Sequence, residues 1–236
     1  MMPRSRSSQL AATGALIVIT IALFQVTDLD LLLQDLFYDS RSHRWLIDRS
    51  EPVAAWIFYD GIKAVLTLFA VALLGALTLF RRSAAVRRSR KGLLTLLLAL
   101  IAVPALVGTL KSLTNTPCPR QIEHYGGPYP EVKVLDTFPE GTRPECRLRC
   151  WPAGHASGGF AMMALFFLFR RRAWRVGGLV TGMLLGWSKG IYKMAIGDHF
   201  FSHTLMTMLI AWEVILLIRW AQECFEKDFG KAAEAA

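Results

Sequence analysis

Long uncharged apolar runs, separated by polar connections, form the main pattern of this chain. Several runs reach the roughly 20 residues that a helix needs to cross a bilayer, and such a helix satisfies its own backbone hydrogen bonds there. The pattern therefore predicts an all-α polytopic membrane protein, a bundle of six transmembrane helices in a single domain over residues 1–236. The six predicted spans cover residues 9–26, 52–80, 92–110, 151–169, 176–196 and 203–220.

Composition agrees with this prediction, since hydrophobic residues make up 53% of the chain, more than a soluble domain usually carries. The net charge of +9 would suggest nucleic-acid binding if it formed one patch. Here the basic residues fill alternate connections, at 81–91 and 170–175, and also precede the first span. That distribution follows the positive-inside rule. It predicts cytoplasmic termini, outer connections at 27–51 and 111–151, and no nucleic-acid partner.

The two long outer connections differ in character. Residues 27–51 interleave acidic and apolar positions, which predicts an amphipathic segment at the outer membrane interface. Residues 111–151 are rich in proline and form a candidate lid. This loop carries Cys118, Cys146 and Cys150. We expect one disulfide among them in an oxidising compartment, and the sequence leaves the pair open.

Polar side chains cluster, in this topology, at the outer ends of spans three to six. They are Lys111, Arg120, His155, Lys193, His199 and His203. His199 and His203 are four residues apart, so a helix would place both rings on one face. His155 stands just inside a predicted helix start at Pro152, where free amides favour an anion and Gly154 leaves room for a ligand. Ionisable groups gathered at one membrane face predict a functional site.

Three cationic side chains together with three histidines suit a phosphate group better than a carbonyl or a sugar. Phosphoryl transfer needs neutralised phosphate oxygens, an in-line nucleophile and an acid for the leaving oxygen. Histidine serves as nucleophile or as acid near neutral pH. The cluster therefore predicts a site of phosphoryl transfer.

These residues resemble the three motifs of the type-2 phosphatidic acid phosphatase superfamily, membrane lipid phosphatases that are related to vanadium haloperoxidases. Lys111 and Pro119-Arg120 are similar to the first motif, Pro152-Ala-Gly-His155 to the second, and Tyr192-Lys193 with His199 and His203 to the third. The resemblance covers spans three to six.

The resemblance implies a six-helix fold and a reaction that needs neither a metal ion nor a cofactor. It implies that His199 attacks phosphorus to form a phosphohistidine and that His155 protonates the leaving oxygen. It also implies that Lys111, Arg120 and Lys193 hold the phosphate. The family's site lies at the outer face of the bacterial inner membrane, so the resemblance implies a periplasmic site.

The chain departs from the family motifs at four places. Arg-Pro appears in reverse as Pro119-Arg120, Ala153 replaces a serine, Lys193 replaces an arginine, and His203 replaces the orienting aspartate. Ser157, one turn further on, is a candidate for the lost phosphate donor. Lysine offers a point charge where arginine grips two oxygens, and a neutral imidazole stabilises a charged His199 less well than a carboxylate does. We expect a working site with tuned activity.

Other functions fit some of the same residues. His155, His199 and His203 could ligate a metal ion, although Phe200 stands where the familiar zinc-hydrolase helix carries glutamate. The substitutions also allow a transporter or an inactive scaffold that binds a phosphorylated lipid. Within the enzyme hypothesis, phosphohistidine could pass its phosphate to a second lipid instead of to water. The candidate substrates are polyprenyl diphosphate, phosphatidylglycerol phosphate, phosphatidate and lipid A.

Overall fold

The computed structural model describes residues 4–234, with side chains over residues 7–226. Residues 1–3 and 235–236, which belong to the predicted cytoplasmic termini, lie outside the described residues. The α-helices are α1 (Arg4–Val26), α2 (Leu29–Gln34), α3 (Pro52–Ala55), α4 (Ile62–Leu79), α5 (Ala84–Leu113), α6 (Ser157–Ala161), α7 (Arg172–Ala195) and α8 (Phe201–Glu234). A short antiparallel hairpin is formed by β1 (Tyr38–Asp39) and β2 (Arg44–Trp45).

Within the described range, four helices are long and apolar enough to cross a membrane. They are Ser7–Val26, Pro52–Leu79, Ala84–Leu113 and Phe201–Glu226, which correspond to predicted spans one, two, three and six. The all-α membrane architecture is thereby confirmed, whereas the count of six spans is not. α7 is 24 residues long, but its glycines and the lysines at 189 and 193 lower the hydropathy of the predicted fifth span.

The predicted fourth span, residues 151–169, is not one continuous α-helix. It consists of a 3-10 turn at Gly154–Ala156, then α6, then a 3-10 segment at Met162–Phe167. Helical structure begins at Gly154 and not at Pro152, the first helical position that the sequence predicts. Ala153, between them, forms hydrogen bonds with α8. Its N–H donates to the His203 carbonyl at 3.1 Å, and its carbonyl accepts from the Thr207 hydroxyl at 3.2 Å. These two bonds hold the start of α6 against the N-terminal end of α8.

α7 packs closely on the run from α6 to residue 167 because it presents glycines there. A methyl group on Gly182 would overlap the backbone of Met163, and one on Gly186 would overlap the ring of Phe160. The glycine spacing predicts this close approach. Phe160 and Met163 lie in the buried core that α5, α6 and α8 share.

The two connections that are predicted to be outer, residues 27–51 and 111–151, fold together into a cap over one end of the bundle. Ile122, Tyr125 and Phe200 form a small buried cluster, and the ring of Trp45 packs at its edge. Asp30 accepts hydrogen bonds from the Ser202 hydroxyl and, at 2.9 Å, from the Ser202 N–H at the start of α8. The predicted amphipathic segment is therefore part of this cap, beside the loop between α7 and α8.

Candidate active site

Hydrogen bonds to backbone carbonyls bring the three predicted motifs together under the cap. The Arg120 N–H donates to the Gly197 carbonyl at 3.1 Å, which joins the first motif to the third. The Thr114 hydroxyl donates to the Trp151 carbonyl at 2.6 Å, which joins the end of α5 to the second motif. With the bonds from residue 153 to α8, these contacts determine where the predicted site residues meet.

A tight turn at the C-terminal end of α7 presents His199. Gly197 has a φ of 73°, in the left-handed region that favours glycine, and a side chain there would also overlap the ring of Trp45. The Lys193 carbonyl accepts from the N–H of Asp198 at 2.8 Å and of His199 at 3.3 Å. The turn thus places His199 beside the last turn of α7.

The three predicted histidines lie together. The ring centroids of His155 and His199 are 5.6 Å apart, and those of His199 and His203 are 5.8 Å apart. His199 and His203 are each only 2% exposed. Within the described part of the chain, His199 Nε2 and His203 Nδ1 are buried without a hydrogen-bond partner. Buried nitrogens without partners cost free energy, so these two are candidates to form a hydrogen bond or a covalent bond with a ligand that enters the site.

Arg120 and Lys193 converge on Asp198, a residue that the sequence analysis missed. Lys193 Nζ lies 2.8 Å from Asp198 Oδ2, and Arg120 Nε lies 3.3 Å from Oδ1. Lys111, on α5, reaches the second motif, because a methyl group on Gly154 would lie 3.9 Å from Lys111 Nζ. The three predicted phosphate-binding cations therefore meet at the histidines, with a carboxylate already between two of them. The available signal was an acidic residue directly before His199.

Replacing Asp198 by Asn is expected to tighten inhibition by orthovanadate, a phosphate analogue, by about tenfold, or ~1.4 kcal/mol. A phosphate must share Arg120 and Lys193 with this carboxylate, so removing its charge leaves both cations to the ligand. The inhibition constant of purified protein measures the change, with the exposed Asp39→Asn as the matched control. Weaker inhibition of Asp198→Asn would instead mean that the carboxylate is needed to orient the cations.

Burial lowers the pKa of His199 well below the ordinary value of 6.5, and the neighbouring His203 and Lys111 lower it further. A buried environment and nearby positive groups both disfavour the imidazolium form. His199 is therefore neutral at neutral pH, with a lone pair on one ring nitrogen. A nucleophile requires that lone pair.

The depressed pKa of His199 has two expected consequences for pH dependence. The acidic limb of kcat/KM should lie below pH 6.5, because the ring stays unprotonated as the pH falls through that value. His199 should also contribute to a fall in unfolding free energy below about pH 6.5, because the unfolded chain gains a proton there that the folded chain does not. A pH–rate profile and denaturant titrations measure both effects. An acidic limb centred above pH 6.5 would contradict this view of the ring.

A disulfide forms one wall of the His199 environment. It joins Cys118 to Cys150 across 32 positions of the chain, and Cys146 is exposed and free. The structure thus identifies the disulfide pair that the sequence left open among the three cysteines of residues 111–151. The Cys150 sulfur lies 3.5 Å from His199 Nδ1. A disulfide sulfur carries no hydrogen, so this contact is a packing contact or a weak N–H donation to sulfur.

Removing the disulfide with the double change Cys118→Ala and Cys150→Ala is expected to lower the free energy of unfolding by about 2–4 kcal/mol. The bond limits the freedom of the unfolded outer loop, and its loss also leaves a gap beside His199. Thermal or denaturant unfolding in detergent measures the loss. Cys146→Ala is the control, and an equal midpoint in the control and the double variant would contradict a structural role for the bond.

Candidate metal ligands occur at the same place. One ligand atom each from Cys150, His199 and His203 lies within 4.8 Å of the others. The Cys150 sulfur is in a disulfide, so it is not the thiolate that a soft metal ion prefers. His155, the third ligand of the metal hypothesis, is not part of this group. The donor set therefore fits a metal ion poorly.

Two predicted residues have contacts that bear on their expected roles. The Ser157 hydroxyl donates to the Gly154 carbonyl at 2.7 Å, so it must rotate before it can donate to a phosphate. Among the residues with described side chains, no hydrogen bond joins His203 to His199, whose rings meet edge to face. Contacts with His203 and the Cys150 sulfur therefore hold the His199 ring in position.

A family model, that of the PAP2 superfamily, matches residues 92–225. The match runs from α5 into α8 and contains every predicted site residue. It confirms the resemblance drawn from the three motifs, and it leaves α1 to α4 outside. A search of curated proteins and a search of solved structures each found no significant match.

Proposed function

Because the chain belongs to the PAP2 superfamily, a family of phosphatases, we propose that it hydrolyses a phosphate monoester or diphosphate of a membrane lipid. The observation that carries this proposal is the meeting of His155 and His199, with ring centroids 5.6 Å apart, next to three cationic side chains. In this proposal, His199 is the nucleophile and His155 the proton donor for one phosphate. The proposed reaction needs no metal ion or cofactor.

In the proposed first step, the lone pair of His199 attacks phosphorus opposite the leaving oxygen. The bond between phosphorus and that oxygen breaks, and His155 donates a proton to the oxygen. Lys111, Arg120 and Lys193 neutralise the phosphate oxygens as charge develops on them. Arg120 and Lys193 then divide their hydrogen bonds between the phosphate and the nearby carboxylate of residue 198.

In the second step, water attacks the phosphohistidine from the side that the leaving group has vacated. His155, which lost its proton in the first step, accepts a proton from that water. The P–N bond breaks, inorganic phosphate leaves, and His199 returns to its neutral form. His203, packed against His199, is a positioning residue in this scheme.

We place the site at the periplasmic face of a bacterial inner membrane. Lys91 at one end of α5 and Lys111 at the other are separated by about 30 Å of helix. Lys91 pairs with Glu226 at 2.7 Å, next to the arginine-rich connection that the positive-inside rule assigns to the cytoplasm. Lys111 is then at the outer face. Six crossings result if α7 and the segmented run before it also span the bilayer.

A phosphate-release screen of the purified protein tests this function. The substrates are polyprenyl diphosphate, phosphatidylglycerol phosphate, phosphatidate and lipid A, each with and without orthovanadate or a chelator. We expect release from at least one lipid, blocked by orthovanadate and insensitive to the chelator. Loss of phosphate release with the chelator would favour a metal site. Transfer of the phosphate to a second lipid instead of to water would show a phosphotransferase. No phosphate release from any of the lipids would contradict the proposal.

A further inference from the structure

A cavity of about 370 Å³ adjoins His155 between α4, α5 and the start of α6. This volume would hold roughly a dozen water molecules. His155 is in its wall, so the cavity opens onto the group that protonates the leaving oxygen in the proposed reaction. The wall also contains Lys63 and Lys189. The cavity therefore lies where a leaving group would be, and it carries positive charge.

One face of the helical segment through α4 supplies much of this wall. Tyr59, Lys63, Leu66, Thr67 and Ala70 line the cavity and follow one another at helical spacing. All five lie outside residues 92–225, the range that matches the family. The cavity is therefore shaped by a part of the chain that the family match does not cover.

Among the described residues, no carboxylate pairs directly with either lysine of the cavity, and Asp60 acts on Lys189 only from a greater distance. Lys189 is 5% exposed. The three-residue spacing predicts a pair between Asp60 and Lys63, but no such ion pair is present among the described residues, and Asp60 lies in the π-helix Trp56–Gly61 instead of in α4. A buried cation without a partner is costly. An anionic ligand would supply that partner.

Tyr59 connects this cavity to the predicted phosphate site. Its ring lies 5.0 Å from the ring of His155, and its centroid is 5.6 Å from Lys189 Nζ and 4.9 Å from Lys193 Nζ. Lys189 and Lys193 are also one turn apart on α7, where side chains are neighbours. An anion held by Lys189 would therefore lie next to a phosphate held by Lys193.

We propose that this cavity binds the second phosphate of a lipid diphosphate, with Lys63 and Lys189 as its counter-cations. The inference rests on the proposed function and names its substrate class. His199 would attack the terminal phosphorus, the bond from that phosphorus to the bridging oxygen would break, and a lipid monophosphate would leave through the cavity. Water then releases the terminal phosphate from His199. The net change is lipid diphosphate plus water to lipid monophosphate plus inorganic phosphate.

The rest of the wall suits the hydrocarbon chain of such a lipid. Leu66, Ala70, Leu100 and Pro104 line the cavity beside the two lysines. Their helices, α4 and α5, also carry exposed apolar side chains such as Leu68 and Ile101, which in a membrane would face lipid. A lipid lying between these helices would thus present its diphosphate to the lysines.

Selectivity between a diphosphate and a monophosphate of the same prenyl alcohol tests the inference. Lys189→Met is expected to lower the ratio of kcat/KM for the diphosphate to that for the monophosphate by about tenfold, since one charge-assisted contact is lost. Lys63→Met changes an exposed side chain and should also lower this ratio. It replaces Lys189→Met as the test variant if Lys189→Met does not fold. Lys91→Met, at the other end of α5, should keep the wild-type ratio.

A binding experiment separates failure of this inference from failure of the proposed function. Methylenediphosphonate, whose P–C–P bridge resists hydrolysis, should raise the unfolding temperature more than methylphosphonate does, and Lys189→Met should remove that difference. If the protein hydrolyses lipid phosphates but neither lysine change alters the selectivity ratio, the second-phosphate site is wrong and the function stands. If no lipid loses phosphate, the proposed function fails, whatever the diphosphonate does.

Discussion

Replacing His199 by Gln is expected to abolish turnover, with a fall in kcat of about 10⁴ to 10⁶. An amide nitrogen has no lone pair that can attack phosphorus, so the covalent route is closed. The expected loss is large because this ring combines burial, at 2% exposure, with a pKa held well below 6.5. No other described histidine lies at the end of the turn that Gly197 forms.

The matched control for this variant is His43→Gln, because His43 is an exposed histidine in the hairpin loop. Both variants should unfold at temperatures close to that of the unaltered protein, since glutamine is similar in size and polar. Residual activity of His199→Gln within tenfold of the control would contradict a nucleophilic role. Restored activity with added imidazole would instead support it.

Replacing His155 by Gln is expected to lower kcat by about 10² to 10⁴ for an alkyl phosphate, because general acid catalysis contributes that much. The ring of His155 contacts the rings of both His199 and Tyr59, with centroid distances of 5.6 Å and 5.0 Å. Glutamine retains hydrogen bonding but cannot deliver a proton. The leaving alkoxide then departs with its full charge.

The identity of the leaving group distinguishes an acid from a merely structural residue. A nitrophenolate leaving group needs little protonation, so the His155→Gln variant should hydrolyse nitrophenyl phosphate with a much smaller loss than it shows on an alkyl phosphate. Single-turnover measurements on both substrates provide the comparison. An equal loss on both substrates would mean that His155 only shapes the site.

The local part of the site could be predicted from the sequence because its residues are close in the chain. The last turn of α7 contains Lys193, the following loop contains His199, and the start of α8 contains His203, so the spacing in the sequence determines most of their relative positions. His155 could be assigned to the same membrane face because apolar spans alternate in direction. These inferences required only periodicity and charge.

The remaining features depend on contacts between distant segments. The ion pair of Asp198 with Arg120 and the disulfide beside His199 depend on how residues 111–151 fold against the end of α7, which no local pattern encodes. The segmented structure of residues 151–169 likewise depends on the bonds between Ala153 and α8. Hydropathy alone predicts one ordinary helix for that run. The sequence therefore predicts six spans, whereas four helices of the described residues are long and apolar enough to cross a membrane.

Rapid-quench trapping of the phosphorylated enzyme tests the central role of His199 most directly. Purified protein is mixed briefly with a lipid phosphate that is radiolabelled on the transferred phosphorus, quenched in alkali, and digested for peptide mapping. We expect an acid-labile, alkali-stable label on the peptide that contains His199, and no label in the His199→Gln variant. Label on the peptide that contains His155, or turnover without any trapped label at any quench time, would contradict it.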